Sequence, residues 1–203
     1  MPKKTSKNLF QRLKHWNFNR HKDKYKEVIE AIKVECDLTK YKTILDVGCK
    51  RGALASTLYD LGLEVTAVDI DAKKLRKAQK NNTGLSIRFV QADALKALPF
   101  EDKSFDVVMT AHLAHIFDSE ERIKLYQEMG RIAKQRVIIQ DNTYDRLPWI
   151  TFSEFGDGGN YYQYAERSEK IDQDYTEDLK TCFKDIVVVK IGLYSAWYIC
   201  TPV

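Results

Sequence analysis

The middle of the chain alternates between short apolar runs and longer stretches with helical periodicity. The first apolar run lies at 44–47, and apolar residues then recur at helical spacing over 54–61 until Gly62. A second apolar run follows at 65–69. Alternation of this kind is typical of βαβ units, in which helices join parallel strands.

The same pattern continues through the centre of the chain. Three further strands are predicted at 87–92, 105–110 and 137–140. A Lys-rich helix is predicted at 72–80, and another helix begins at the capping box of Asp118 and Glu121. Because connections between parallel strands are short and right-handed, this order predicts an α/β, doubly wound sheet with helices on both faces.

The last third of the chain has a different pattern. Residues 143–175 are rich in Tyr, Asp and Gly and lack clear periodicity, and a final helix is predicted at 176–183. Two apolar runs at 186–191 and 196–200 are separated by a short connection, which predicts an antiparallel hairpin. The complete sheet should therefore have seven strands, mostly parallel, and end in that hairpin.

The N-terminus predicts a basic arm at 1–22 ahead of a single domain at 23–203, since 203 residues can bury one good core. Leu9, Phe10 and Leu13 recur at helical spacing in the arm, and a second helix is expected to follow it. We favour a lid role for the first helix, because amphipathic helices usually bury their apolar stripe within their own domain.

The charge of the arm leaves a second role open. Residues 1–26 contain seven Lys, two Arg and one Asp. Such an arm suits RNA or an anionic membrane surface, because Lys and Arg displace counterions from phosphates. A solvated, solubilising tail explains the same composition.

Composition also bears on compartment and metal binding. No apolar run approaches the roughly 20 residues of a transmembrane segment. The four cysteines form no C-x-x-C pair, which predicts free thiols, no metal site and a cytoplasmic protein. They are Cys36, Cys49, Cys182 and Cys200.

The end of the first strand carries the main candidate for a ligand site. Ligands of open α/β sheets bind at the carboxyl ends of strands, near the point where strand order reverses. Gly48 and Gly52 would allow a sharp turn and a close approach of a ligand. The carboxylate of Asp46 suits an ammonium group better than a pyrophosphate. Lys50 stands where the dinucleotide fingerprint needs its second glycine, which disfavours NAD.

Two more acidic residues follow the next two strands. Asp69 ends the second strand and could bind both hydroxyls of a ribose. Its other possible role is to cap the following helix, which Asp71 could also do. Asp93 follows the third strand and could accept a hydrogen bond from an adenine amine. Three acids after three successive strands are more specific than any one of them.

In the order of these motifs, the chain resembles the class I S-adenosylmethionine-dependent methyltransferase superfamily, in particular its small type 11-like branch, from about Leu38 to Val203. The resemblance implies a Rossmann-like methyltransferase fold, an enzyme of the transferase class and S-adenosylmethionine as cofactor. It implies that the methionine part lies near Asp46, Gly48 and Cys49, the ribose at Asp69, and the adenine near Ile70, Asp93 and Ala94. Gly52, at the start of the following helix, completes the predicted cofactor loop.

The segment after the fourth strand lines the methyl-transfer cleft in this family. We expect Thr110, Ala111 and His112 to lie close to the sulfonium. His112 is the first candidate for a general base or a substrate contact, and a structural histidine at a strand end remains the alternative. His115 is a candidate substrate contact.

The acceptor is expected to be a small molecule. Aromatic residues in 143–175 predict a substrate lid above the cleft. Its candidate contacts are Tyr144, Arg146, Trp149 and Tyr161. Two alternatives stay open: an RNA methyltransferase that uses the basic arm, and a non-catalytic S-adenosylmethionine-binding or scaffold protein. The second alternative rests on Lys50, because family members usually carry glycine there.

Overall fold

Seven strands form one sheet, and their bounds follow the apolar runs of the sequence. The structure, a computed structural model, describes residues 4–142, 171–191 and 195–203, with side chains at 18–141, 176–191 and 195–203. The strands are β1 (Thr43–Val47), β2 (Glu64–Asp69), β3 (Arg88–Gln91), β4 (Phe105–Ala111), β5 (Ala133–Asn142), β6 (Phe183–Ile191) and β7 (Ser195–Pro202).

The strand order is β3-β2-β1-β4-β5-β7-β6. Strands β1 to β5 pair in parallel, whereas β7 pairs antiparallel with both β5 and β6. The predicted seven-stranded, mostly parallel sheet with a terminal hairpin is therefore confirmed. Strand order reverses between β1 and β4, so the carboxyl ends of these two strands form the crevice in which such folds bind ligands.

Helices cover both faces of this sheet, as the alternating pattern predicts. They are α1 (Lys4–Ile32), α2 (Ala53–Asp60), α3 (Ala72–Asn81), α4 (Ser119–Ile132) and α5 (Ile171–Cys182), with short 3₁₀ turns at Leu38–Lys40 and Ala114–Ile116. Buried Ile32, Leu58 and Leu75 bring α1, α2 and α3 into one core cluster. Leu125 and Leu179 bring α4 and α5 into the cluster on the other face.

Local sequence signals set several helix ends. The predicted capping box of α4 is confirmed: Asp118 accepts from the Glu121 amide at 3.0 Å, and Glu121 accepts from the Asp118 amide at 3.3 Å. The prediction of two separate N-terminal helices is wrong, because α1 runs without a break across residue 22. No glycine or proline lies between Lys4 and Ile32 to end it.

Helix α1 packs against α2 in the part whose side chains are described. Phe18 is buried, the Lys22 ammonium lies 3.0 Å from the Asp60 carboxylate, and the Thr57 hydroxyl donates to the Lys22 carbonyl at 3.4 Å. A lid role for the helix stays a prediction. None of the helices in the described ranges is long and apolar enough to cross a membrane.

The C-terminal helix also differs from its predicted extent. Helix α5 begins at Ile171, five residues earlier than the predicted start at Thr176, and no glycine or proline interrupts the stretch up to Cys182. The segment expected to be irregular is shortened by the same amount. The four cysteines are free, as predicted, and the structure shows that all four are buried.

One buried ion pair joins α4 to α5. Asp178 accepts from Arg122 Nε at 2.7 Å and from the Ser119 hydroxyl at 2.6 Å, and both charged side chains are buried. Because an unpaired buried charge is costly, Arg122→Met should lower the free energy of unfolding by about 3–5 kcal/mol. Chemical denaturation followed by circular dichroism measures it.

The matched control is Lys124→Met on the same helix. Lys124 pairs with Glu120 at 2.7 Å on the exposed face, where ion pairs contribute little. The free energy of unfolding of Lys124→Met should stay close to that of the parent chain. If both variants lose the same free energy of unfolding, burial of the Arg122–Asp178 pair does not explain its contribution to stability.

Candidate functional site

The turn after β1 is built from backbone hydrogen bonds to the neighbouring strand. The amides of Gly48 and Cys49 donate to the Val68 carbonyl at 2.8 and 2.9 Å, and the Gly52 amide donates to the Cys49 carbonyl at 2.8 Å. Gly48 and Gly52 both have φ of +78°, in the left-handed region that favours glycine. The sharp turn predicted at these two positions is therefore confirmed.

The space beside each glycine is taken by the protein itself. A Cβ at Gly48 would lie 2.9 Å from the Cδ2 atom of Leu113, which comes from the loop after β4. A Cβ at Gly52 would lie 2.7 Å from the Asn82 amide nitrogen and 3.1 Å from the Ala78 side chain of α3. Backbone geometry and internal packing thus account for both glycines, whether or not a ligand also approaches them.

Asp46 places a buried carboxylate within β1. It is 1% exposed, and its Oδ2 has no hydrogen-bond partner among the described residues. Burial raises the pKa of Asp46 to about 7, and the Asp69 charge adds to the rise, while the Ala55 amide and the Lys50 charge oppose it. This buried oxygen accepts no hydrogen bond from the described residues and lies near the second negative charge of Asp69. A cationic group of a ligand would stabilise the ionised carboxylate at this position.

Tyr25 of α1 lies near this carboxylate. Burial raises the pKa of the Tyr25 phenol, and the negative charge of Asp46 raises it further. The N-terminal helix therefore contributes an aromatic side chain to the surroundings of Asp46. Sequence periodicity predicted Tyr25 as a helix residue but gave no sign of this neighbour.

Asp69 holds the loop in shape from the end of β2. Its Oδ2 accepts from the Lys50 amide at 2.8 Å, and its Oδ1 accepts from the Asp71 amide at 2.9 Å. Helix α3 is capped by Asp71, which accepts from the Lys73 and Lys74 amides. The alternative cap role for Asp69 is therefore filled by Asp71, and the Asp69 oxygens retain lone pairs for further donors.

The residues expected at the adenine lie along the next strand ends. Ile70 follows Asp69 and is 62% exposed. Asp93 accepts from the Leu95 amide at 3.0 Å and lies 3.6 Å from the Lys96 ammonium, and Ala94 is partly buried.

Cys49 has a buried thiol beside two carboxylates. Burial raises its pKa, and the charges of Asp46 and Asp69 raise it further. The thiol is therefore neutral at physiological pH and unsuited to nucleophilic chemistry.

The end of β4 brings the next three candidate residues to the same edge of the sheet. The Thr110 hydroxyl is buried and donates to the Val47 carbonyl at 2.8 Å, so it ties β4 to β1, and Ala111 is buried beside it. His112 has φ of +52°, and its amide donates to the Gln140 carbonyl at 2.9 Å.

The chemistry of His112 argues against the predicted role of general base. Its Nδ1 is buried and has no partner among the described residues, and burial lowers the pKa of its imidazole to about 3. A ring of such low basicity takes up a proton poorly near neutral pH.

His115 is placed differently, because a carboxylate holds it. Its Nδ1 lies 2.8 Å from Asp141 Oδ1, and its amide donates to Asp141 Oδ2 at 3.0 Å. Asp141 lies in β5 and is 1% exposed, whereas the His115 side chain is 14% exposed. Asp141 is absent from the sequence-predicted set. The signal that could have found it is an acid near the end of a strand, as at Asp69.

Lys50 faces the same crevice although its side chain is exposed. It has φ of +51°, an unfavourable conformation for a residue with a Cβ. Its positive charge lowers the pKa of both Asp46 and His112, so the ammonium acts on the interior of the site. The charge of Lys50 is therefore part of the surroundings of the site, even though its side chain is exposed.

The predicted substrate contacts Tyr144, Arg146, Trp149 and Tyr161 lie outside the described residues. Within the described ranges, no group of His, Cys, Asp or Glu could hold a metal ion.

About half of the chain is similar in sequence to methyltransferases. A family model described as a methyltransferase domain matches residues 44–136. An uncharacterized methyltransferase of Mycobacterium tuberculosis (strain ATCC 25618 / H37Rv) is 41% identical over 106 residues, which cover 51% of this chain and 49% of that protein. A malonyl-[acyl-carrier protein] O-methyltransferase of Enterobacter lignolyticus is 28% identical over 92 residues, 45% of this chain and 36% of that protein. The chain thus matches about half the length of such relatives, or less.

A solved structure shares the fold over most of its length. Magnesium protoporphyrin IX methyltransferase from Synechocystis PCC 6803, solved with bound SAH, superposes with a TM-score of 0.63 at 18% identity. The match covers 90% of this chain and 84% of that protein. The type 11-like branch stays a prediction. Residues 44–136 therefore match a methyltransferase domain, and the chain shares the fold of that solved methyltransferase.

Proposed function

We propose that this chain transfers a methyl group from S-adenosylmethionine to a small-molecule acceptor. The observation that carries the proposal is the buried carboxylate of Asp46 at the strand-order switch point. Its Oδ2 accepts no hydrogen bond from the described residues. The cofactor brings an ammonium and a sulfonium, and either positive charge would favour the ionised carboxylate. A dinucleotide would bring pyrophosphate charges next to Asp46 and Asp69 instead.

The remaining cofactor contacts follow the ends of the strands. We assign the methionine part to Asp46, Gly48 and Cys49, with Gly52 closing the turn. Asp69 would accept from the ribose hydroxyls, since the Lys50 and Asp71 amides already fix its orientation. The adenine would lie near Ile70, Asp93 and Ala94, where the exposed Ile70 offers an apolar surface. Thr110 and Ala111 would line the crevice from β4.

The protein's contribution to methyl transfer is alignment and exclusion of water. The cofactor supplies the activated methyl group when bound, and in-line displacement needs the acceptor atom held behind it. Leu113 packs over Gly48 and provides an apolar wall at the carboxyl end of β1. Such a wall favours a compact, dry cleft.

A small-molecule acceptor suits this cleft better than a polymer. One of the similar proteins above is named for methylation of magnesium protoporphyrin IX, which is a small molecule. Another is named for a malonyl group that an acyl-carrier protein carries. Among the described residues nothing favours RNA, and the arm's side chains at 1–17 are outside the description.

Calorimetry with S-adenosylmethionine and with NAD tests the cofactor assignment, and release of S-adenosylhomocysteine in the presence of candidate acceptors tests turnover. Tight binding of NAD, or no binding of S-adenosylmethionine, would overturn the proposal. Binding without turnover on any acceptor would favour the non-catalytic alternative.

The first prediction from this proposed function concerns the pH dependence of cofactor binding. Asp46 must be ionised to attract a cation, and its pKa is about 7 in the free protein. Affinity for S-adenosylmethionine should therefore rise from about pH 5.5 to about pH 7, by up to tenfold per unit, and level off above. Asp69, Lys50 and Tyr25 are the charged or titratable groups around it.

Asp46→Asn is the control for this profile. The amide cannot ionise, so its affinity should be low and nearly independent of pH over the same interval. Calorimetry at several pH values measures both proteins. A parent profile as flat as that of the variant would contradict the role of Asp46.

The second prediction concerns Asp69. Asp69→Asn removes a charged acceptor from the proposed ribose site, and hydrogen bonds to charged groups contribute about 1.5–3 kcal/mol. Affinity for S-adenosylmethionine should fall roughly tenfold to a hundredfold. Asp71→Asn is the matched control, because asparagine also caps helices. Equal losses in both variants would point to a general disturbance of the loop.

The third prediction concerns Lys50. Lys50→Met removes the positive charge while keeping the length of the side chain. At about pH 8, where Asp46 is ionised, the variant should bind S-adenosylmethionine about two- to fivefold more tightly, because a nearby like charge is removed. Lys103→Met is the control, because Lys103 also has φ of +51°, and it should leave the affinity for S-adenosylmethionine unchanged. Weaker binding by Lys50→Met would instead mean that the ammonium pairs with the cofactor carboxylate.

A further inference from the structure

The carboxyl ends of β4 and β5 bring two histidines and one carboxylate together. His112 directly follows β4, His115 lies on the 3₁₀ turn Ala114–Ile116, and Asp141 lies near the end of β5. These strands are neighbours, with Ala111 opposite Gln140. The group therefore lies at the same edge of the sheet as the crevice assigned above to the cofactor, on the β5 side of β4.

Asp141 holds His115 at two points. One carboxylate oxygen faces the ring Nδ1 at 2.8 Å, and the other accepts the backbone amide of His115 at 3.0 Å. An ionised carboxylate only accepts hydrogen bonds, so Nδ1 carries the proton and Nε2 is the basic nitrogen of the neutral ring. The two contacts fix both the tautomer and the direction of the ring.

The two histidines have different surroundings. The Nδ1 atom of His112 is buried and has no partner among the described residues, and burial lowers the pKa of its imidazole to about 3. His115 has the Asp141 carboxylate beside its Nδ1, and its side chain is partly exposed. A carboxylate on Nδ1 is the arrangement that prepares a histidine to accept a proton at Nε2.

We propose that His115, oriented by Asp141, is the general base of the reaction and that the acceptor is an alcohol or a phenol. The proposal rests on the function proposed above and names its acceptor class. A hydroxyl oxygen is a poor nucleophile until its proton leaves, whereas a neutral amine can attack first and lose its proton afterwards. A positioned base is therefore most useful to a hydroxyl.

The step balances without a further reagent. The hydroxyl proton passes to Nε2 of His115, and the oxygen electron pair forms the new bond to the methyl carbon. The electron pair of the broken carbon–sulfur bond remains on sulfur, which leaves S-adenosylhomocysteine and a methyl ether. The imidazolium is held beside the Asp141 carboxylate until its proton passes to solvent.

The first test reads the tautomer without any acceptor. Nitrogen NMR of the full chain with labelled histidine, assigned by comparison with His115→Asn, should show Nδ1 protonated and Nε2 unprotonated at about pH 8. An Nε2-protonated neutral ring, or an imidazolium at that pH, would overturn the proposal, because neither can take a proton at Nε2.

The second test uses a panel of para-substituted phenols and matched anilines, followed by release of S-adenosylhomocysteine. Asparagine places an amide where Nδ1 stood, so His115→Asn can keep a hydrogen bond to Asp141 while losing Nε2. Turnover number with phenols should fall at least about a hundredfold, and least for the most acidic phenol. Turnover with anilines should change little.

The remaining readouts separate this proposal from a purely structural pair. Imidazole in solution should restore part of the activity of His115→Ala with phenols. Equal losses for phenols and anilines, no loss, or no turnover of any phenol by the parent chain would overturn the proposal. Calorimetry with S-adenosylmethionine runs beside each variant: retained binding means that only the base assignment has failed, and lost binding in the parent chain means that the proposed function has failed.

Discussion

The buried carboxylate of Asp46 is the constraint on which the rest of the site depends. Raising its pKa from 3.8 to about 7 corresponds to a cost on the order of 4 kcal/mol for ionising it in the folded protein. The fold accepts this group at the strand-order switch point, beside Asp69 of the neighbouring strand. Two carboxylates so placed repel each other, and a bound cation would relieve both the repulsion and the lost hydration.

The local parts of this site could be predicted from the sequence because their causes are local. Gly48 and Gly52 lie between a strand and a helix, and Asp71 lies just before a helical stretch. Residue type and position therefore predict a turn at the glycines and a helix cap at Asp71. The doubly wound, mostly parallel sheet followed from the alternation of strands and helices and from the handedness of their connections. The continuity of α1 across residue 22 was missed because the end of the basic stretch was taken as the end of a helix. No glycine or proline there breaks the helix.

Contacts between distant residues could not be predicted in the same way. His115 and Asp141 are separated by 26 positions and meet only because β4 and β5 pair in a particular register. The low basicity of His112 likewise depends on how deeply its ring is buried, which spacing alone does not give. The sequence therefore singled out both histidines, but it gave no sign of the Asp141 carboxylate beside one of them or of the surroundings of the other.

Lys50 shows why a departure from a family pattern need not mean lost activity. In place of glycine it has a positive φ, but its backbone amide still donates to Asp69, so the loop keeps its shape. Its charge lowers the pKa of Asp46, which increases the ionised fraction of that carboxylate near neutral pH. The same ammonium repels a bound sulfonium, so its net effect is a balance between a better-ionised partner and a nearby like charge. Because the side chain is exposed, water weakens the repulsion, and the residue is compatible with a working site.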